Sequence, residues 1–487
     1  MCEDGNTPKN GAKTSNSCVF AQLRHALLPL PTRGFTPVEK GGSALSAKAD
    51  FSDPKPIPTS PDNLASMTVV GLDDTDSRAG MCTTYVAAQV AERLRERGDR
   101  IERLLLIRCN PAVEHKTRGN AALAIHTDAD PETVLDVTCE IVDKFAETDG
   151  SNTNPGVVIA DHDPAEASDE VAAFAREAIV GHHAIEDALE LVDEHGYRHT
   201  GWGNARGTIG ALAAVGAWTA FEEWTYEHIA YREQRRWGTP REIDFDSVFE
   251  AAEAAYPTAW DTVDRGEGEA VCVPNTPGPV LYGIRGDDAE VVREVAKKIE
   301  SEPTASSTLF VTNQGTDAHL RDGTLGAARG GYAYRVPGTV VEEPETRQGG
   351  HVFFAIADEE SEIRCAAFEP TKRFRDRVRA LRAGDRITAC GEVADGTLKL
   401  EKFAVRELDR TALTTPQCPD CGRSMKSAGA DQGYRCRDCG TSAPGKVEIE
   451  IERDLEPGWY EVPPTARRHL AKPLVRGGFD GPTHPEG

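Results

Sequence analysis

The sequence predicts a multidomain protein that combines α/β and α+β regions with a small β-barrel and a zinc ribbon. A chain of 487 residues is too long for one hydrophobic core. Residues 67–200 alternate apolar strands with periodic helices, and residues 331–410 contain short strands separated by turn signals. Residues 413–455 contain two paired cysteine motifs. These three patterns predict the fold class.

Residues 1–66 precede the first predicted strand. They are rich in Ser, Pro, Lys and Gly, have little hydrophobic periodicity, and lack the basic start and apolar core of a signal peptide. Two interpretations are open: a disordered extension, or a start codon assigned upstream of the native one. We favour the second, with Met67 as the native start.

An acidic loop follows the first predicted strand. Three carboxylates lie within four residues: Asp73, Asp74 and Asp76. Two hydroxyls, Thr83 and Thr84, come next at the start of a helical pattern. Carboxylate oxygens hold Mg²⁺ and helix N-termini bind phosphate, so this order favours a phosphoryl-transfer site. The alternative is an acidic turn with Thr83 or Thr84 as an ordinary N-cap.

Two further stretches are candidates for phosphate binding. Lys116 and Arg118 lie between two predicted strands, where the alternative is a solvated hairpin tip. The glycine-rich stretch 201–210 contains Arg206 and precedes an Ala-rich helix. Its glycines would let the backbone approach a ligand, and Arg206 could pair with a phosphate. The alternative for this stretch is close helix packing.

Residues 201–325 are interpreted as an α+β unit. Strands are expected at 280–285 and 309–312, on either side of a helix at 288–300. The last strand leads into the polar loop 312–319, which we expect to reach bases or phosphates.

The strand and turn pattern of residues 381–393 resembles that of OB-fold nucleic-acid binders. Residues 373–377 add three arginines and a phenylalanine, a composition typical of surfaces that bind single-stranded nucleic acid. The alternative for residues 331–410 is any other small β-barrel.

Four cysteines have the spacing of a zinc ribbon: Cys418, Cys421, Cys436 and Cys439. Four thiolates suit tetrahedral Zn²⁺ and leave no open position for water, so the site would be structural. The alternative is a pair of disulfides, which the unpatterned spacing of the other cysteines disfavours. That cysteine usage also predicts a reducing, cytosolic setting. Residues 456–487 form a C-terminal tail to which we assign no function.

The formal net charge of −25 would normally count against a nucleic-acid partner. The acidic residues are spread along the whole chain, and Arg is favoured over Lys, a bias that suits a halophilic protein. Local basic clusters are therefore more informative than the net charge. No stretch approaches 18 uncharged apolar residues, so no membrane span is expected.

Five motifs occur together in a fixed order. They lie at residues 71–85, 116–120, 153–158, 203–212 and 312–320. Their combination resembles the archaeal tRNA(Ile) 2-agmatinylcytidine synthetases, from Met67 to about residue 450.

The resemblance implies a domain order as well as a reaction. The expected domains are a kinase-like catalytic domain (67–200), a ferredoxin-like domain (201–325), an OB-fold domain (331–410) and a zinc ribbon (413–455). The expected enzyme is an ATP-dependent ligase that joins agmatine to the 2-oxo carbon of the wobble cytidine in the CAU anticodon of isoleucine tRNA. ATP would give AMP and pyrophosphate, and the modified tRNA would read AUA as isoleucine.

The resemblance also implies site residues. Thr84 would be the phosphorylated threonine, ahead of a phosphorylated cytidine intermediate. Asp73, Asp74 and Asp76 would be catalytic, and the first two would hold Mg²⁺. The residues expected to contact ATP or phosphate are Lys116, Arg118, Asn120 and Arg206.

Two other functions remain open. One is a non-catalytic protein in which an OB-fold and a zinc ribbon bind single-stranded nucleic acid. The other is a tRNA modifier on the same scaffold that uses a different amine. The preferred interpretation predicts ATP, Mg²⁺ and Zn²⁺ as cofactors, isoleucine tRNA and agmatine as partners, and a cytoplasmic location.

Overall fold

The computed structural model of the protein describes residues 67–114, 116, 119–148 and 152–486. The interpretation of residues 1–66 and the predicted phosphate contact of Arg118 lie outside these residues. The described part of the chain forms 22 strands and eight α-helices.

The largest sheet has nine strands. Their bounds are β1 (Thr68–Asp73), β2 (Ile101–Arg108), β3 (Ala121–Thr127), β4 (Gly156–Ala160), β5 (Arg198–Gly201), β6 (Thr225–Arg232), β7 (Ala259–Trp260), β8 (Val280–Gly286) and β9 (Thr304–Thr312). The strand order is β5-β4-β1-β3-β2-β9-β6-β8-β7. Strands β2 and β9 pair in parallel, Leu105 with Val311, and join the two halves of the sheet.

Helices cover both faces of the first half, from β5 to β2. They are α1 (Thr83–Arg97), α2 (Pro131–Phe145), α3 (Asp169–Val180), α4 (Ile185–Glu194) and α5 (Gly207–Ala220). In β1, Val69 packs into the core with α3 and α5, whereas Val70 and Leu72 pack into the core with α1 and α2. A strand covered on both faces is expected to be an unbroken apolar run, as it is here.

Helix α5 is buried around most of its surface because it consists of small and apolar residues. It packs against β1 and β4, although it follows the expected domain boundary at residue 200. Helix α5 therefore packs with the first half of the sheet. The position of that boundary stays a proposal.

The second half of the sheet, from β9 to β7, is antiparallel. Helices α6 (Phe245–Ala255) and α7 (Ala289–Lys298) pack on it. Val248 and Val292 from these helices meet Leu281 and Ile284 of β8 in a separate core. The α+β prediction for this region is confirmed.

A closed five-stranded barrel follows. After the short strand β10 (Leu320–Asp322), it consists of β11 (Tyr332–Thr346), β12 (Val352–Ala357), β13 (Glu362–Ala367), β14 (Arg386–Ala394) and β15 (Thr397–Glu407). The order around the barrel is β11-β12-β13-β15-β14, and β14 pairs back to β11. Helix α8 (Phe374–Arg379) lies between β13 and β14. This Greek-key order confirms the predicted OB-fold.

In the segment around α8, Phe374 is not exposed for stacking on a base, contrary to what the composition suggested. Phe374 is fully buried and packs in the barrel core, 5.5 Å from the ring of Phe403. Arg373 is paired with Asp264 and Glu486. The phenylalanine is therefore a core residue, because its spacing places it on the inner face of a short helix.

The zinc ribbon and the C-terminal segment complete the chain. The ribbon contains β16 (Thr411–Thr414), β17 (Lys426–Ser427), β18 (Tyr434–Arg435), β19 (Ser442–Ala443) and β20 (Val447–Glu450). Two further strands, β21 (Gly458–Glu461) and β22 (Thr483–His484), extend the barrel sheet beyond β15. The C-terminal segment is thus an integral part of the fold. None of the helices in the described residues is long and apolar enough to cross a membrane.

Candidate active site

A cavity of about 420 Å³ lies where the two halves of the nine-stranded sheet meet. It brings together eight residues that the sequence singled out: Asp73, Asp74, Asp76, Thr83, Thr84, Lys116, Asn120 and Arg206. Residues from β6, β8 and the C-terminal segment complete its wall. The acidic loop and both candidate phosphate-binding stretches therefore face one space.

The acidic loop begins at the end of β1. Asp73 accepts a hydrogen bond of 2.6 Å from the backbone N–H of Asp74, whose φ of 57° lies in the left-handed region. A Cβ at Gly210 would lie 1.9 Å from Asp73 Oδ2, so only glycine lets α5 approach this carboxylate. Burial, followed by the charges of Asp74 and Asp76, raises the pKa of Asp73 well above its usual value. Such a cluster of carboxylates would be stabilised by a bound cation.

Arg206 holds the acidic loop. Its Nη2 donates to Asp74 Oδ2 and to the carbonyl oxygen of Asn152, both at 2.8 Å. The backbone N–H of Asn154 also donates to Asp74 Oδ2, at 3.1 Å. Burial raises the pKa of Asp74, and the charge of Arg206 opposes that effect. Arg206 thus orients a carboxylate at the edge of the cavity.

The two threonines occupy the first positions of α1. Cys82 is the N-cap residue, so neither Thr83 nor Thr84 is the ordinary N-cap that the alternative interpretation requires. The Thr84 hydroxyl lies 3.0 Å from Cys82 Sγ, at hydrogen-bond distance. Within the described part of the chain, Thr83 Oγ1 makes no side-chain hydrogen bond. Both threonines line the cavity at the positive end of the helix.

Lys116 lies near charged residues of the barrel and of the C-terminal segment. Burial, followed by the charge of Arg468, lowers the pKa of Lys116, and Glu392 of β14 opposes the shift. Asn120, with a φ of 47°, donates from Nδ2 to the carbonyl oxygen of Asn110 at 2.9 Å. Lys116 and Asn120 both line the cavity, and the hydrogen bond to Asn110 holds the Asn120 side chain in place.

The residues of the cavity wall that were not singled out from the sequence include Arg108, Glu227, Arg285 and His469. Arg108 Nη2 lies 3.9 Å from Glu227 Oε2, and Arg285 Nη1 lies 3.3 Å from His469 Nδ1. Both arginines end an apolar run, in β2 and in β8, and a charge at the end of a buried strand could have identified them. His469 had no comparable signal, because only the path of the C-terminal segment brings it to the cavity.

The polar loop 313–319 does not reach outward to bases or phosphates as we expected. Asn313 Oδ1 accepts from the backbone N–H of Arg108 at 2.8 Å, and Gln314 Oε1 accepts from Arg108 Nε at 3.3 Å. Asp317 accepts two hydrogen bonds of 2.8 Å from Lys402 of the barrel. These polar side chains are buried and paired, so the loop supports Arg108 and joins the sheet to the barrel.

The four cysteines of the ribbon converge. Their Sγ atoms all lie within 4.8 Å of one another, and none of them forms a disulfide. Cys421 Sγ and Cys436 Sγ are 3.6 Å apart, too far for an S–S bond. Four thiols at these distances fit a tetrahedral Zn²⁺ site, and the disulfide alternative is excluded.

Comparisons with known proteins cover most of the chain. Three family profiles match: the TiaS TCKD domain at residues 69–128, the TiaS FLD domain at 205–319 and the TiaS C-terminal zinc ribbon domain at 415–455. The isoleucine tRNA 2-agmatinylcytidine synthetase TiaS of Haloquadratum walsbyi is 54% identical and covers 86% of this chain and 100% of its own. The protein of the same name from Methanosarcina acetivorans is 47% identical, with 84% and 97% covered.

Two solved structures extend the similarity to the fold. A complex of TiaS with its isoleucine tRNA and ATP is 41% identical with a TM-score of 0.80, covering 87% of this chain and 100% of the other. A complex of TiaS with the same tRNA, AMPCPP and agmatine is 38% identical with a TM-score of 0.77 and the same coverage.

Proposed function

The chain belongs to the family of TiaS 2-agmatinylcytidine synthetases, which act on isoleucine tRNA, and we infer that it makes agmatidine at the wobble cytidine of this tRNA. It binds ATP, agmatine and the isoleucine tRNA with the CAU anticodon. The observation that carries this function is the cavity, where three carboxylates, two helix-terminal hydroxyls and several cations meet.

The reaction requires activation of a carbonyl oxygen. An amine displaces that oxygen poorly from the 2-position of cytidine, because it is a poor leaving group. Phosphorylation makes the leaving group a phosphate, which explains the need for ATP. A cavity that positions carboxylates, hydroxyls and cations around a phosphoryl group supplies this step.

We propose that Asp73 and Asp74 hold Mg²⁺, with Asp76 beside them. The raised pKa values of Asp73 and Asp74 support this assignment, because a divalent cation would offset the repulsion between buried carboxylates. Bound Mg²⁺ would neutralise phosphate charge during the transfer.

We propose that the helix start supplies the hydroxyl that carries the transferred phosphate. The family resemblance assigns this role to Thr84. The Thr84 hydroxyl lies 3.0 Å from Cys82 Sγ, so its hydrogen-bond partner is a thiol. Thr83 is the competing acceptor of the phosphoryl group, since none of the described residues hydrogen-bonds to its side chain. Single replacements of the two threonines distinguish the assignments.

Lys116, Arg118, Asn120 and Arg206 are proposed as the residues that contact ATP or phosphate. Lys116 and Arg206 supply positive charge at the cavity, and Asn120 shapes the loop between them. Arg118 is proposed from its motif alone. Guanidinium and ammonium groups are suited to phosphate oxygens.

We propose that the four domains have different roles. Their expected bounds are 67–200, 201–325, 331–410 and 413–455. The OB-fold and the ribbon, with Zn²⁺ on its four cysteines, would hold the tRNA body. The catalytic region would then receive an extruded wobble base. Because its substrate is a tRNA, we assign the enzyme to the cytoplasm.

One experiment tests the function and its nearest competitors. Purified protein is incubated with ATP, Mg²⁺ and unmodified isoleucine tRNA, with agmatine or with putrescine, a diamine that lacks the guanidinium group. Mass spectrometry of the wobble nucleoside should show the agmatine adduct only in the first reaction, with tRNA-dependent release of AMP. An adduct formed equally well with putrescine would favour a modifier of different amine specificity. Binding without AMP release would favour the non-catalytic alternative.

A further inference from the structure

The C-terminal segment 463–476 runs from the barrel sheet to the cavity. Its backbone lies along loop 313–319: Gly315 N–H donates to the carbonyl oxygen of His469 at 2.7 Å, and Asp317 N–H donates to that of Leu470 at 2.8 Å. These bonds hold His469 beside the end of β9. The segment therefore delivers one side chain to a site that is otherwise built from the nine-stranded sheet.

The barrel fixes the same segment from the other side. Arg468 pairs with Glu392 of β14 and lies 3.3 Å from Glu401 Oε1 of β15. Lys402 Nζ donates to the carbonyl oxygen of Lys472 at 2.6 Å. His469 thus lies between anchors on the barrel and anchors on the sheet, which limits its movement.

The imidazole of His469 contacts Arg285 and lies within the electrostatic influence of Arg108. Arg285 Nη1 lies 3.3 Å from His469 Nδ1, and a guanidinium can only donate, so Nδ1 is the acceptor. The ring proton is then on Nε2. Burial, followed by the charges of Arg108 and Arg285, lowers the pKa of His469 well below its usual value, in agreement with a neutral ring. A Cβ at Gly119 would lie 2.2 Å from Arg108 Nη1, so glycine at this position leaves space for the Arg108 guanidinium.

Among the described residues, neither arginine has a close carboxylate of its own. Arg108 Nη2 lies 3.9 Å from Glu227 Oε2, and Arg285 Nη1 lies 3.8 Å from Asp261 Oδ2. Asp261 is also bound by Arg467 through its other oxygen. Two guanidinium groups that face one cavity without full compensation favour an anion between them.

We propose that His469 is a positioning residue that holds Arg285 through Nδ1, so that the guanidinium group of Arg285 points, together with that of Arg108, at a phosphoryl group in the cavity. This inference rests on the proposed function, which supplies that phosphoryl group. The C-terminal segment is then part of the active site. Its attachment to Glu392, Glu401 and Lys402 couples the placement of the arginines to the barrel.

The test compares two substitutions at one position. His469→Leu keeps much of the volume but removes the acceptor, and it should raise the KM for ATP about tenfold to a hundredfold. His469→Asn places Oδ1 near the position of Nδ1, so it should recover a KM within about threefold of the wild type. Affinity for the tRNA and the unfolding temperature should stay close to wild-type values in both variants.

A control is available further along the chain, in β22. His484 stacks on Tyr460 with ring centroids 4.4 Å apart and does not line the cavity, so His484→Leu should leave the KM for ATP unchanged. An unchanged KM in His469→Leu would overturn the inference, as would equal losses in the Leu and Asn variants together with lowered thermal stability. Absence of tRNA-dependent AMP release by the wild type would instead overturn the proposed function, and the inference with it.

Discussion

Buried arginines are used in two opposite ways in two regions of the molecule. At the far end of β6, Arg232 donates to both oxygens of Glu302, at 2.8 and 2.9 Å, and to the carbonyl oxygens of Thr239 and Pro240. In the cavity, Arg108 and Arg285 face carboxylates at 3.9 and 3.8 Å. The N–H groups of Arg232 are occupied by hydrogen bonds, whereas the positive charges of the two cavity arginines are less fully compensated by carboxylates.

The difference separates structural from functional charge. A buried ion pair with every hydrogen bond made holds two segments together, and removal of one partner leaves an uncompensated charge. Buried arginines without a close carboxylate are costly in the free protein and become favourable when an anion arrives. If the cavity charges serve phosphate chemistry, changes in the cavity should impair the reaction, and changes in the structural pairs should impair stability.

Replacement of the hydroxyl proposed to carry the phosphate should have the largest effect. Thr84→Ala is expected to lower agmatidine formation by about 10³-fold or more, because it removes the oxygen to which the phosphate is proposed to be transferred. Binding of the tRNA should change only a few-fold. The measurement is product formation by mass spectrometry, with phosphate transfer to the protein followed from γ-labelled ATP. An active Thr84→Ala enzyme and an inactive Thr83→Ala enzyme would move the role to Thr83.

Asp73→Asn should reduce the rate by about 10²-fold through weaker Mg²⁺ binding. A higher Mg²⁺ concentration should restore part of the lost activity in this variant. The same addition should not restore Thr84→Ala, which serves as the control. A rate that does not respond to Mg²⁺ would remove Asp73 from the set of metal ligands.

The two kinds of arginine should respond differently to the same substitution. Arg285→Met should raise the KM for ATP about tenfold and change stability little, because Asp261 stays paired with Arg467. Arg232→Met should lower the free energy of unfolding by about 3 kcal/mol, since it removes the paired guanidinium of buried Glu302 and leaves Arg236, 3.8 Å away, and the Glu242 N–H as its remaining partners. Chemical denaturation and ATP kinetics on both variants measure the contrast. A large loss of stability in Arg285→Met would show that Arg285 has a structural role like that of Arg232.

Loss of the zinc site should mainly affect tRNA binding. Cys418→Ser should lower the zinc content from about one ion per chain and weaken the affinity for the tRNA about tenfold. The turnover of bound tRNA should be retained better, because four protein ligands leave no position for catalysis. Zinc analysis and filter binding provide the measurement. Unchanged tRNA affinity in a zinc-free protein would remove the ribbon from the recognition surface.

Removal of residues 1–66 should have the smallest effect. Their composition predicts no hydrophobic core of their own, so a chain that starts at Met67 should retain its activity and its unfolding temperature. Activity assays and thermal unfolding of the two chains test this expectation. A marked loss of either would show that the segment contributes to the folded body.

Local patterns were sufficient for much of the fold and part of the site. Several features depend only on residues that are close together in the chain, and the structure confirms them. They are the apolar run before Asp73, the helical period of α1, the five barrel strands and the cysteine pairs. Phe374 and loop 313–319 were misinterpreted, because composition does not tell whether a polar or aromatic residue faces solvent. Their burial depends on which distant elements pack over them.

The sequence by itself determined the strand, acidic loop and helix order that brings Asp73, Asp74 and the two threonines together, since hydrogen bonding along a short stretch of chain sets that order. The tertiary structure decided how the two halves of the sheet meet, and that meeting brings Arg108 and Arg285 to one cavity. It also decided that the C-terminal segment returns from the barrel and places His469 against Arg285. Contacts between residues far apart in the chain depend on the packing of whole elements, so no local pattern of residues 463–476 could reveal them.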